Sequence, residues 1–248
     1  MNCDTYCRDL AALKERYENL VCSVRAAEKA AGRKEGSVMI LPAVKYADAR
    51  QMDFLARECG VCDVGENRIQ TMLAHIGESE NPDAFRFHVI GSLQKNKVKY
   101  AVGRACLIQS VDSEELAGEI QRICEKKNVN ARVLIEINSG REESKTGVSP
   151  DEAGKLSESL SRFGRIELCG FMTMGPKCDN PDAYYKYFTE TYKLSLDIWQ
   201  KKLHNIGEPI LSMGMSDSFV PAIAAGASCI RVGRALFGPA PAAPLKLK

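Results

Sequence analysis

A chain of 248 residues that is 45% hydrophobic and 27% charged can bury one large core, so one barrel or two smaller domains both fit its length. Its 34 Lys and Arg nearly cancel its 32 Asp and Glu, a formal charge of +2, and the basic residues are scattered, so neither nucleic acid nor a membrane surface is an expected partner. The N-terminal residues carry charges throughout, with no apolar signal-peptide core, and no stretch is apolar enough to span a bilayer; the 10 cysteines are therefore expected to be reduced in a cytoplasmic protein.

Leu10, Leu13, Tyr17, Leu20, Val24 and Ala27 recur at spacings of three and four, which predicts an amphipathic opening helix that stops near Gly32. Short apolar runs then alternate with helical segments. Strands are predicted over 38–44, 61–64, 86–90, 106–110, 132–137, 167–172, 210–213 and 229–232, with helices over 48–59, 113–127, 150–163, 181–202 and 217–225. Eight strands in this alternation predict an α/β fold, a single (β/α)8 TIM barrel with an extra N-terminal helix, spanning 1–238. The Pro- and Ala-rich residues 239–248 predict a loose tail. An open doubly wound sheet is the alternative, but its Gly-x-Gly-x-x-Gly signature is missing after the first strand, where Lys45 stands instead.

Cys59 and Cys62 form a lone C-x-x-C with no second pair, so they are expected to be structural, at a helix end leading into a buried strand; Cys3 and Cys7, on one helical face, are read the same way. Of the three histidines only His88 lies in a predicted strand, and it is expected to be a satisfied core residue. No Ser-His-Asp order is convincing, and histidines do not cluster with carboxylates along the sequence as metal ligands would, so no metal is expected.

The functional groups of a β/α barrel gather at the carboxyl ends of its strands. Lys45 follows the apolar run Met39 to Val44, so its ammonium is expected at the edge of a low-dielectric core, where desolvation favours the nucleophilic free amine. A lysine that only snorkels from a strand end fits that segment equally well. Near the C-terminus, Ser216, Asp217 or Ser218 is expected to cap a helix whose first N–H groups form an anion site, and Gly233 allows backbone amides to approach the same anion. Those glycines could equally serve tight turns alone. Arg231 is a charge inside an apolar strand and must find partners or a polar cavity.

Together these residues resemble the YggS/PROSC family, the pyridoxal 5′-phosphate (PLP) homeostasis proteins, whose fold is similar to the N-terminal barrel of alanine racemase. The likeness covers nearly the whole chain and rests on Ala43-Val44-Lys45, Gly65-Glu66-Asn67, FHVIGSLQKNK (87–97), Ser110-Val111-Asp112, INSGREESKTG (137–147), Gly170-Phe171-Met172, LSMGMSDSF (211–219) and IRVGRALFG (230–238). The resemblance implies that Lys45 holds PLP as a Schiff base and that Asn67 lies near the cofactor. It also implies that Ser216 and the backbone of Gly233 and Arg234 bind the phosphate, and that Arg231 faces the pyridine nitrogen with Ser212 close by. Val44 stands where the family often has Ser or Thr, and Val89 where Phe or Met is commoner; both changes concern packing around the ring, not attachment.

A guanidinium only donates hydrogen bonds, so Arg231 would keep the ring nitrogen unprotonated and make PLP a poor electron sink. The implied function is a non-catalytic PLP carrier or buffer in intracellular PLP homeostasis, a monomer that serves apo-PLP enzymes. Alanine racemase draws a second base, a tyrosine, from a C-terminal β-domain, and no such domain is expected here. Two alternatives stay open: a PLP-dependent racemase or decarboxylase with a base such as Lys145 or a tyrosine, and an aldolase-type barrel using Lys45 without a cofactor.

Overall fold

The computed structural model describes residues 3–142, 146–176, 178, 180–201 and 208–238; Lys145 and the tail expected over 239–248 lie outside them. The opening helix, α1 (Cys3–Ala30), buries Leu13, Leu20, Val24 and Ala27, with Leu10 and Tyr17 packed against the same core. Each fully buried Leu or Val in this stripe stabilises the fold by roughly 1.5–3 kcal/mol relative to exposure. Glu28 on this helix is fully buried and accepts from the N–H groups of Gly36 (3.0 Å) and Val38 (2.7 Å) and from Arg25 (2.8 Å). That carboxylate ties α1 to the start of the first strand.

Eight parallel strands follow: β1 (Met39–Pro42), β2 (Asp63–Glu66), β3 (Arg86–Val89), β4 (Ala105–Val111), β5 (Ala131–Ile137), β6 (Ile166–Thr173), β7 (Ile210–Met213) and β8 (Cys229–Val232). Their order is β1-β8-β7-β6-β5-β4-β3-β2, and a parallel bridge between Ala43 and Gly65 brings the two ends of the sheet together. The eight-stranded β/α barrel predicted from the alternation is therefore observed, and the open doubly wound alternative is not. Gly170 shows how tightly the sheet is drawn: a Cβ there would lie 2.1 Å from the Ile210 carbonyl oxygen, and its φ of +142° favours glycine in any case.

The outer helices are α2 (Ala49–Cys59), α3 (Ile69–Glu78), α4 (Val98–Ala101), α5 (Glu114–Lys127), α6 (Pro150–Leu160), α7 (Pro181–Trp199), α8 (Phe219–Ala224) and α9 (Arg234–Phe237). Caps account for several boundaries. Asp48 and Gln51 form a reciprocal capping box, Gly60 ends α2 in the left-handed region, and the Ser113 hydroxyl accepts from Leu116 N–H. The helix predicted over 150–163 stops at Leu160, and the one predicted over 181–202 stops at Trp199. The helix predicted from 217 begins at Phe219. The helices and the outer faces of the strands share one large core, whereas Leu41, Ala43, Ile90 and Cys229, and separately Leu107, Leu134, Cys169 and Met172, fill the barrel interior. Cys59 packs against the outer core and the Cys62 thiol donates to Gly60 O at 3.6 Å; both are free thiols. No helix among the described residues is long and apolar enough to cross a membrane.

Candidate functional site

The register of the sheet gathers the predicted residues at one end of the barrel. Ala43 N–H donates to Val232 O (2.9 Å) and Val44 N–H to Gly65 O (3.0 Å), so the chain leaving β1 runs between the ends of β8 and β2. Lys45 thus lies between the loop of Gly233 and Arg234 on one side and that of Asn67 on the other. The backbone of Asn67 is fixed by close approach, because a Cβ on Gly91 would fall 2.4 Å from Asn67 O. Asn67 also lines a cavity of about 640 Å³ with Arg68, Gln70, Ser92, Gln94 and Lys97.

Lys45 corrects one expectation. Its side chain is exposed, with Nζ 4.9 Å from the centre of the Tyr46 ring, so the apolar strand does not bury the ammonium. The strand ends before the lysine, and the turn at Lys45 and Tyr46 carries the amine outward.

The anion site also differs from its expected form. Ser218 occupies the N-cap position of α8, but its hydroxyl accepts from Met215 N–H (3.1 Å) and from no N–H of the six-residue helix. Further donors come from the segment after β8, where Gly233 caps the short helix α9. The Ser216 hydroxyl accepts from Ala235 N–H at 3.3 Å, which draws the two loops together. Among the described residues, the N–H groups of Ser216, Gly233 and Arg234 donate to no protein acceptor. These three orphan donors beside one hydroxyl suit an anion. The Arg234 guanidinium pairs with the Asp217 carboxylate at the surface, which offsets a negative charge that would otherwise face the same anion.

Below them sits Arg231, 4% exposed. Nη1 donates to both the backbone and hydroxyl oxygens of Ser212, each at 2.7 Å, and Nη2 donates to Thr173 O at 2.9 Å. Burial lowers its pKa, opposed by nearby Cys229 and Glu136. Three of its five N–H groups are used by these bonds, which leaves donors for a ring acceptor.

Sequence spacing missed several buried polar residues here. Glu136, 2% exposed on β5, accepts from the Thr146 hydroxyl at 2.7 Å, and burial raises its pKa, opposed by that bond and by Arg231. Gln109 on β4 is fully buried and accepts from the Ser212 hydroxyl at 2.6 Å. The fold also pairs histidines with carboxylates, which the sequence order did not show: His75 Nδ1 lies 2.5 Å from Glu66, and His88 Nε2 lies 3.0 Å from Asp63. Asp63, His88 and Cys106 bring ligand-type atoms within 4.8 Å of one another, but Arg86 engages both Asp63 oxygens and His88 is bonded at both ring nitrogens. His88 is the satisfied core histidine that was expected.

The alanine racemase N-terminal domain family matches residues 2–241. The pyridoxal phosphate homeostasis protein of Aquifex aeolicus is 37% identical over 227 residues, which cover 90% of this chain and 96% of the relative. This chain belongs to that family. Among solved structures, an unknown protein from Bifidobacterium adolescentis superposes on this family member with a TM-score of 0.83 at 30% identity, covering 93% of this chain and 96% of that one. PipY of Synechococcus elongatus, solved with PLP bound, gives a TM-score of 0.77 at 26% identity and covers 91% of this chain and all (100%) of its own.

Proposed function

We propose that this member of the family holds PLP as a Schiff base on Lys45 and acts as a carrier or buffer in PLP homeostasis, without robust catalysis of its own. The observation that carries the reading is the bond from Ala235 N–H to the Ser216 hydroxyl, which brings the Ser216 loop to the segment holding the unpartnered N–H groups of Gly233 and Arg234, at the end of the barrel that also carries the exposed Lys45 and the buried Arg231. That donor set fits PLP: an anion cradle, an amine for its aldehyde and a cation for its ring nitrogen.

Bound PLP supplies an aldehyde that a lysine amine can hold reversibly. The residues do the rest. Ser216, Gly233 and Arg234 orient the phosphate, Asn67 borders the site from β2, and the loop after β1 presents Lys45 to solvent. Arg231, fixed by Ser212 and Thr173, offers a donor and no proton acceptor to the ring nitrogen, which disfavours the protonated ring that carbanion chemistry exploits. The reading extends to a cytoplasmic monomer, with residues 1–238 as the binding domain, that passes PLP to apo-PLP enzymes.

The test is delivery. Holo-protein should activate a PLP-dependent apoenzyme faster than, or with a different concentration dependence from, free PLP at the same total concentration. Sustained conversion of any of a panel of amino acids, lost in Lys45→Ala, would instead establish a racemase or decarboxylase.

A further inference from the structure

Beneath the proposed ring site a line of buried polar groups crosses the barrel from β8 to β2. Arg231 donates to Ser212 Oγ (2.7 Å), Ser212 Oγ donates to Gln109 Oε1 (2.6 Å), Gln109 Nε2 meets His88 Nδ1 (3.0 Å), and His88 Nε2 meets Asp63 (3.0 Å). Ser212 and Gln109 are fully buried and His88 is 4% exposed, so within the described protein these groups depend on one another for partners.

We propose that Asp63, His88 and Gln109 are positioning residues for the bound PLP ring, forming a one-way hydrogen-bond relay that fixes the Ser212 hydroxyl and, through it, Arg231. The inference rests on the PLP reading above for the identity of the ring.

The direction follows from the two ends. Arg231 can only donate. Asp63 can only accept: burial works against its charge, but hydrogen bonds from His88 and Arg86 outweigh burial and hold the carboxyl well below the usual range. With neutral His88, the Nε2 proton must therefore face Asp63, and Nδ1 must accept. The Gln109 NH2 then faces His88 and its oxygen faces Ser212, whose single proton goes to that oxygen and leaves a lone pair for Arg231. An amide could otherwise sit either way round; here both neighbours choose the same orientation. A chain of bonds all pointing one way polarises each member and makes Ser212 a better acceptor for Arg231.

One proton reverses the line. If His88 gains a proton at Nδ1, two donors face each other and the Gln109 amide must turn over. Ser212 Oγ then accepts from both Gln109 and Arg231, and its own proton turns toward the neighbouring Cys229 thiol. His88 meets Asp63 on β2, and besides His88 that carboxylate feels Arg86 on β3, Cys106 on β4 and Cys229 on β8. Burial pushes the Cys106 and Cys229 thiols up to about 11, so near neutral pH the carboxylate is the anion that His88 meets.

Two measurements test the relay. In apoprotein labelled with 15N, imidazole correlations should show neutral His88 as the Nε2–H tautomer; the Nδ1–H tautomer would overturn the relay. Gln109→Glu, which places only acceptors opposite Nδ1, should bring a proton onto His88 Nδ1 in the same correlations. In holo-protein, His88→Phe should shift the visible absorbance of bound PLP, because it removes the neighbour that sets the orientation of the Gln109 amide. Gln109→Ala, or Ser212→Ala if that variant folds poorly, should also shift it, and adding His88→Phe to either should change the absorbance no further. Absorbance indifferent to His88→Phe in the otherwise unmodified protein, or still responding to it in the cut variants, would overturn the coupling. Complete lack of PLP uptake would overturn the proposed function instead, and the apoprotein tautomer would still decide the direction of the relay.

Discussion

Arg231 and Ser212 are joined twice, since one guanidinium nitrogen donates to both the backbone and hydroxyl oxygens of the serine at 2.7 Å. The double bond fixes the plane of a charge that the barrel buries. Ser212→Ala removes one charge-assisted bond and leaves Gln109 short of a donor, so a loss of about 1.5–3 kcal/mol in urea unfolding is expected. Arg231→Glu should shift the spectrum of bound PLP toward a protonated pyridine, and an unchanged spectrum would separate Arg231 from the ring.

The anion cradle gives a second expectation. Ser216→Ala and Gly233→Val should each weaken PLP retention in equilibrium dialysis while circular dichroism remains that of the unmodified protein. The valine would crowd Ala43, whose oxygen lies 3.2 Å from where a Cβ would stand on Gly233. Unchanged retention in both variants would place the phosphate elsewhere.

His75 gives a pH dependence. It lies against Glu66 at 2.5 Å and reaches Ala47 O at 3.1 Å, so it clamps the loop that follows Lys45. Burial lowers its pKa, but the Glu66 carboxylate and the Ala47 bond outweigh burial and raise it overall above the ordinary value of about 6.5. A folded-state pKa above the unfolded one contributes stability that is complete below pH 6.5 and is lost as pH rises through the raised value. Urea unfolding should therefore show stability declining as pH rises above 6.5 through the raised value, and His75→Gln should flatten that part of the profile.

Gly91 tests the placement of Asn67. An added Cβ would meet Asn67 O at 2.4 Å and its Cα at 2.9 Å, so Gly91→Ala must push the Asn67 backbone away. A destabilisation of about 1–3 kcal/mol is expected, together with weaker PLP binding. A fully stable variant that binds PLP normally would show that this loop yields without consequence.

The barrel was legible because its strands are short apolar runs whose alternation with helical stretches survives any local ambiguity. Strands 210–213 and 229–232 match the observed limits residue for residue. Helix α3 went unread, although Ile69, Met72, Leu73 and Ile76 carry helical spacing, because no capping side chain marks its start at Arg68. Within the site, Arg231 stood out as a charge among apolar neighbours, and Glu136 carried the same signal inside Val133 to Ile137 without being read. Gln109 and the His88–Asp63 pair were hidden for a different reason. Their partners lie 103, 21 and 25 residues away, and only closure of the barrel brings them together. The exposure of Lys45 was misjudged because an apolar strand says nothing about the turn that follows it.

The central claim is that Lys45 is the tether. Protein incubated with PLP, reduced with borohydride and digested should carry the pyridoxyl mass on the peptide containing Lys45, and Lys45→Ala should carry none. A pyridoxyl group on another lysine, or undiminished labelling of the Lys45→Ala protein, would contradict it.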